Sequence, residues 1–151
     1  SFKKEHDVEF VFIKYGNELA KYQSQISSLK NMDGFAPFPK REMLRFYNEL
    51  DVLIMPTKRD AESLGLVSIE AMACGTPVIT YNTGPAVAAL DKDTGMVVEK
   101  GDVKVLDNAI QTLALESKEH YKKVCRIRAE QLFKKGDRYL DYLKLYEALI
   151  N

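Results

Sequence analysis

An α/β fold, an open parallel sheet with helices on both faces, is what this sequence predicts, and three observations predict it. Short apolar runs alternate with patterns of helical period almost from the start, the signature of parallel strands joined by helical crossovers. Proline and glycine fall at segment ends, at Pro56 and Gly75, where a strand and a helix have to stop. The 151 residues suffice for one domain with a real core.

Taken in order, VEFVFI (8–13) is the first buried-strand candidate, followed by a helix over 18–29 and a weaker strand in GFAPF (34–38). Residues 40–49 form a helix that gathers Met43, Tyr47 and Leu50 on one face. VLIMP (52–56) is the next strand, stopped by its proline. A polar loop and a short helix over 64–74 lead into the strand PVITY (77–81), and GMVV (95–98) is the last strand. Asp102 caps a helix whose Val103, Leu106, Ile110 and Leu113 recur at helical spacing. Helices over 119–133 and 139–150 close the chain, which shows no internal repeat and no low-complexity segment. The sum is a Rossmann-like sheet of about five parallel strands.

Composition narrows the function. Lysine plus arginine and aspartate plus glutamate number 22 each, so neither a nucleic-acid footprint nor a polybasic membrane patch is expected. Apolar runs end after a handful of residues, far short of a bilayer span, and the opening SFKKEHDVEF is charged rather than signal-like. Cys74 and Cys125 form no CxxC pair, and His6 and His120 have no companions at metal spacing. The expectation is a soluble, cytoplasmic protein in a reducing setting, with no metal and no cofactor.

Open parallel sheets take ligands beyond the carboxyl ends of their strands, which directs attention to the loop over 56–66. Glu62 lies in its polar stretch TKRDAES and should sit at the crevice mouth. Ser63, Leu64 and Gly65 open a helix, whose unpaired amides and positive dipole end favour an anion. Gly65 has no side chain to keep that anion from the backbone. Glu70 lies among Leu66, Val67, Ile69, Ala71, Met72 and Ala73, which leave almost no solvent face, so its carboxylate is expected to be buried and to need donors such as a ligand's hydroxyl pair. On chemistry alone, Glu62 as a solvated loop acid and Glu70 as a loop cap or lysine partner stand beside these readings. A hydrolase pair fits less well, since those carboxylates flank a sugar from opposite sides.

The run ESLGLVSIEAMACGTPVI resembles the signature of the group 1 (GT4-type) retaining glycosyltransferases, in which two glutamates bracket a glycine-containing turn ahead of an EAMAxGxPVI-like run. GFAPFPKREMLRFYNELDVLIMPT is similar to the family's strand, helix and strand before the motif. DKDTGMVVEKGD resembles its later turn, and LKLYEAL its closing helix. The resemblance implies the C-terminal, donor-binding half of a GT-B fold. It implies that Glu70 binds the nucleotide ribose hydroxyls and that Glu62, the catalytic candidate, faces the donor sugar near its diphosphate. Ser63 and the backbone of Leu64, Gly65 and Leu66 would contact sugar and phosphate, with Gly16 and Phe38 completing the substrate-binding set.

The chain also departs from the family's pattern. The arginine and lysine that neutralise the leaving diphosphate belong near a first strand that should precede Ser1, and the acceptor-binding N-terminal domain is missing, so the expectation is a fragment, residues 1–151 being the nucleotide-sugar-binding domain. KYGNE (14–18) keeps only Gly16 of a glycine-rich turn, TGPAVAAL (83–90) lacks the usual glutamate, and Leu64 replaces a common phenylalanine. Asp91, Lys92 and Asp93 spell a DxD that reads as a turn before Thr94 and Gly95. Lys58 and Arg59 are either solvated or within reach of the diphosphate. The expected function is donor binding in a metal-independent retaining glycosyltransferase that moves a sugar from a nucleoside diphosphate sugar to a saccharide or lipid acceptor held by the missing domain, with no nucleic-acid partner. A membrane surface is reached only through that missing domain, at the inner face. The alternatives are a non-catalytic nucleotide-binding module and a sugar-nucleotide epimerase of similar fold.

Overall fold

A computed structural model describes residues 9–13, 32–35, 39–57, 65–84 and 86–150. The chain divides into two compact units, Ser1–Met43 and Leu44–Asn151. In the first, β1 (Phe10–Ile13) and β2 (Met32–Phe35) pair in parallel, Phe10 opposite Met32 and Ile13 opposite Phe35. The second strand therefore starts two residues before the expected GFAPF, because the ladder with β1 draws Met32 and Asp33 into register. The expected helix over 18–29 lies outside the described residues. Pro39 then starts a tight 3₁₀ turn, Lys40–Glu42, its carbonyl accepting the Glu42 amide at 2.7 Å.

At the boundary begins α1 (Met43–Glu49). The second unit is a three-stranded parallel sheet in the order β3 (Leu53–Met55), β4 (Val78–Tyr81), β5 (Gly95–Val98). The central strand β4 is buried at every position, as a parallel strand covered on both faces has to be. Between β3 and β4 runs α2 (Leu66–Ala73), and a single short turn, α3 (Ala86–Ala89), which the sequence reading did not anticipate, separates β4 from β5. The remaining helices are α4 (Val103–Leu115), α5 (Lys118–Phe133) and α6 (Lys135–Ile150).

Asp102 caps α4 as predicted, its carboxylate accepting the amides of Lys104 and Val105 at 3.0 Å. Its stripe is only partly a core face: Leu113 and Ala109 are buried, Leu106 and Ile110 half-buried, and Val103, in the first turn, is exposed. The main helix-to-helix contact joins α2 to α5, which buries Tyr121, Cys125 and Ala129 at a four-residue spacing. Gly75, just past α2, has φ +81°, and a Cβ there would lie 2.9 Å from the Lys122 Cα of α5. Only glycine lets the two helices approach this closely. Both cysteines are free thiols, and burial pushes Cys125 up to about 12, which makes it a packing residue. In contrast, α6 buries no residue and leaves Tyr139, Tyr142, Tyr146 and Leu149 exposed. Among the described residues no helix is long and apolar enough to cross a membrane.

Candidate functional site

The carboxyl ends of β3 and β4 are tied together by threonines. Thr80 donates its hydroxyl to the Met55 carbonyl at 3.2 Å, and Thr83 donates to the Thr57 carbonyl at 3.0 Å. This fixes the edge at which an open parallel sheet receives a ligand. From Thr57 the chain passes through residues 58–64, outside the described set, and returns at Gly65. Gly65 is buried with φ 66° and ψ 45°, a left-handed conformation that suits glycine, and among the described residues no side chain caps the helix that starts there. Its carbonyl accepts the amides of Ser68 and Ile69 at 2.8 and 3.3 Å. The first-turn amides ahead of Ser68, those of Leu66 and Val67, belong to the set a helix leaves without internal acceptors, at its positive dipole end.

The body of α2 is two-sided, which corrects the expectation for Glu70. Ser68, Ile69, Ala71 and Met72 are buried, whereas Leu66, Val67, Glu70 and Ala73 are exposed. The sequence around Glu70 is apolar all round, but one face of α2 packs on β3, β4 and α5 and the other faces outward. Glu70 is thus not a buried charge in search of donors. It is an open carboxylate beside two exposed apolar side chains, Leu66 and Val67, one turn along from the uncapped amides.

One donor does reach it from the protein. Tyr47, on α1 and only 1% exposed, donates its hydroxyl to Glu70 Oε2 at 2.9 Å. Burial, and then the Glu70 carboxylate at the end of that hydrogen bond, push the phenol upward, so its proton stays on oxygen. Tyr47 is itself anchored: Thr76 donates to the Tyr47 carbonyl at 2.6 Å in a buried hydrogen bond. Lys118, at the start of α5, places its ammonium on the last carbonyls of this stretch, Asn48 at 2.6 Å and Leu50 at 2.5 Å, with Tyr47 at 3.4 Å. A cation on the carbonyl end of a helix satisfies orphan acceptors and meets the negative end of its dipole.

Of the predicted site residues, the structure brings Gly65, Leu66 and Glu70 onto one end and one open face of α2. Glu62, Ser63, Leu64, Gly16 and Phe38 lie outside the described residues, as do Lys58 and Arg59. The DxD is a turn: Asp91 Oδ1 accepts the Asp93 amide at 3.1 Å and the Thr94 hydroxyl at 2.9 Å, and Oδ2 pairs with Arg128 at 3.3 Å. Tyr47 is a residue of this candidate site that the sequence alone does not reveal. Helical spacing places it on the core face of its helix, where the structure buries it, but nothing in a linear pattern aims its hydroxyl at a carboxylate 23 residues away.

Residues 1–131 match the family described as glycosyl transferases group 1. The capsular polysaccharide biosynthesis glycosyltransferase CapM of Staphylococcus aureus is 45% identical over 71 residues, which are 46% of this chain and 18% of that protein. The chain therefore spans only a part of that relative's length. Among solved structures, sucrose-phosphate synthase from Thermosynechococcus elongatus superposes with a TM-score of 0.78 at 25% identity, over 93% of this chain and 38% of that one. A mutant of S. aureus TarM, in complex with fondaparinux, alpha-GlcNAc-glycerol and UDP, shares the fold with a TM-score of 0.79 at 18% identity, over 95% of this chain and 30% of that one.

Proposed function

Because this chain belongs to the group 1 glycosyl transferases, we propose that it is the donor-binding part of a retaining glycosyltransferase, one that holds a nucleoside diphosphate sugar for transfer to a saccharide or lipid acceptor. The observation that carries the reading is the arrangement on α2: an uncapped amide end behind Gly65 and, one turn on, the open carboxylate of Glu70. Phosphate oxygens suit the amide end, where the backbone offers donors and a positive dipole. Ribose hydroxyls suit the carboxylate, which accepts from both of a vicinal pair. Leu66 and Val67 give the intervening surface an apolar character that a sugar ring or nucleoside can cover. In this reading Glu62 faces the donor sugar, Ser63 and the backbone of Leu64 to Leu66 contact sugar and phosphate, and Gly16 and Phe38 complete the donor site. UDP in the TarM complex supports a nucleotide of this class. The dipole end of α2 would stabilise the diphosphate as it departs, where fixed donors aimed at developing charge contribute most to rate. We propose that the reaction needs no metal and takes place in the cytoplasm.

Two substitutions separate the roles. Glu70→Ala is expected to weaken a nucleoside diphosphate by about 1.5 to 3 kcal/mol, the range for hydrogen bonds to a charged group, or on the order of tenfold to a hundredfold in affinity. Glu62→Gln is expected to weaken the intact sugar nucleotide and spare the bare diphosphate. Calorimetry on both variants with both ligands decides; unchanged affinity in a folded Glu70→Ala chain removes the ribose assignment.

A further inference from the structure

Glu70 is open to solvent, and a glutamate in that position ordinarily samples many rotamers, so a ligand that uses it has to order it first. Here the carboxylate is already tethered. Oε2 accepts the Tyr47 hydroxyl, and among the described residues no other hydrogen bond reaches the Glu70 carboxylate. The tether is stiff, because Tyr47 is almost fully buried and its own carbonyl is held by Thr76 and lies on the Lys118 ammonium. A carboxylate has about four lone-pair sites, so one donor leaves room for both hydroxyls of a ribose.

We propose that Tyr47 is a positioning residue for nucleotide recognition: it holds the Glu70 carboxylate in the orientation that accepts the ribose 2′ and 3′ hydroxyls. The assignment rests on the reading of Glu70 as the ribose ligand. Tyr47 touches no ligand atom and acts through Glu70. Its hydroxyl is a donor in this pair, since the phenol keeps its proton and the carboxylate can only accept. Thr76 and Lys118 set the position of α1, and α1 sets the position of the hydroxyl.

The test compares Tyr47→Phe, Glu70→Ala and the double variant in the full chain. The tightest binder among UDP, GDP and ADP is measured against its 2′,3′-dideoxy counterpart by calorimetry. Tyr47→Phe removes one oxygen, keeps the buried ring, and leaves behind a carboxylate that water can reach, so the fold is retained; thermal unfolding checks this. The expected result for Tyr47→Phe is a loss of about three- to tenfold in affinity for the ribonucleotide, the range for one ordinary hydrogen bond, with the dideoxy ligand unchanged. Glu70→Ala should bring the two ligands to similar affinity, and adding Tyr47→Phe to it should change nothing more. If Tyr47→Phe weakens both ligands alike, its role is general packing and the proposal falls. If it leaves the ribose preference intact while Glu70→Ala abolishes it, the Tyr47 assignment fails alone. If Glu70→Ala itself leaves the preference intact, the ribose reading of Glu70 fails and the Tyr47 proposal with it.

Discussion

The two ends of α2 are built to opposite rules. Its carboxyl end is locked: Gly75 lets Lys122 of α5 come within the space of a methyl group, and the Thr76 hydroxyl is buried against the Tyr47 carbonyl. Its amino end is open, with a left-handed glycine, no side-chain cap among the described residues and Leu66 58% exposed. Within eight residues the same helix is first an open face and then a part of the core. The difference teaches that the apolar character of a helix does not tell which of its faces is covered. Ile69 and Leu66 read alike in the sequence, yet one is buried and the other meets water.

The contrast can be broken from its locked side. Met72 is fully buried, and Met72→Ala should cost about 2 to 5 kcal/mol in urea unfolding, the sum of lost transfer energy and a cavity. A smaller loss is expected for Gly75→Ala, about 1 to 3 kcal/mol, because the new Cβ meets the backbone of Lys122 and φ is +81°. A cost below a few tenths there would mean that α5 slides easily along α2. The open side should barely register: Leu66→Ala is expected to stay within about 0.5 kcal/mol of the parent. A loss as large as that of Met72→Ala would show that Leu66 is covered in solution, and would move the proposed donor surface elsewhere.

How much of this was legible depends on the range over which the physics acts. The strands PVITY and GMVV, the Asp102 cap and the stop at Gly75 were readable because each is set by neighbours along the chain. The helix start near Gly65 was readable for the same reason, as a strand end followed by a glycine and an apolar run. Burial of Glu70 was misjudged because α2 has apolar residues on both its covered and its uncovered face, so periodicity carries no information there. The exposure of Val103 has the same origin: helical spacing marks a stripe, but not how far along it the sheet extends. Tyr47, Thr76 and Lys118 were invisible as a group because their hydrogen bonds join segments that only the fold brings together.

The Lys118 ammonium has a consequence in time as well as in space. It lies 70 residues after Asn48, whose carbonyl it holds. During synthesis α1 therefore leaves the ribosome long before its cation does, and so do Tyr47 and Glu70. The nascent chain can form the strands and α2 in order, but the end of α1 stays unfastened until the first turn of α5 has emerged. The support of the Glu70 carboxylate is thus complete only once Lys118 has been made, and a chain released before Lys118 would present the same glutamate on a looser support.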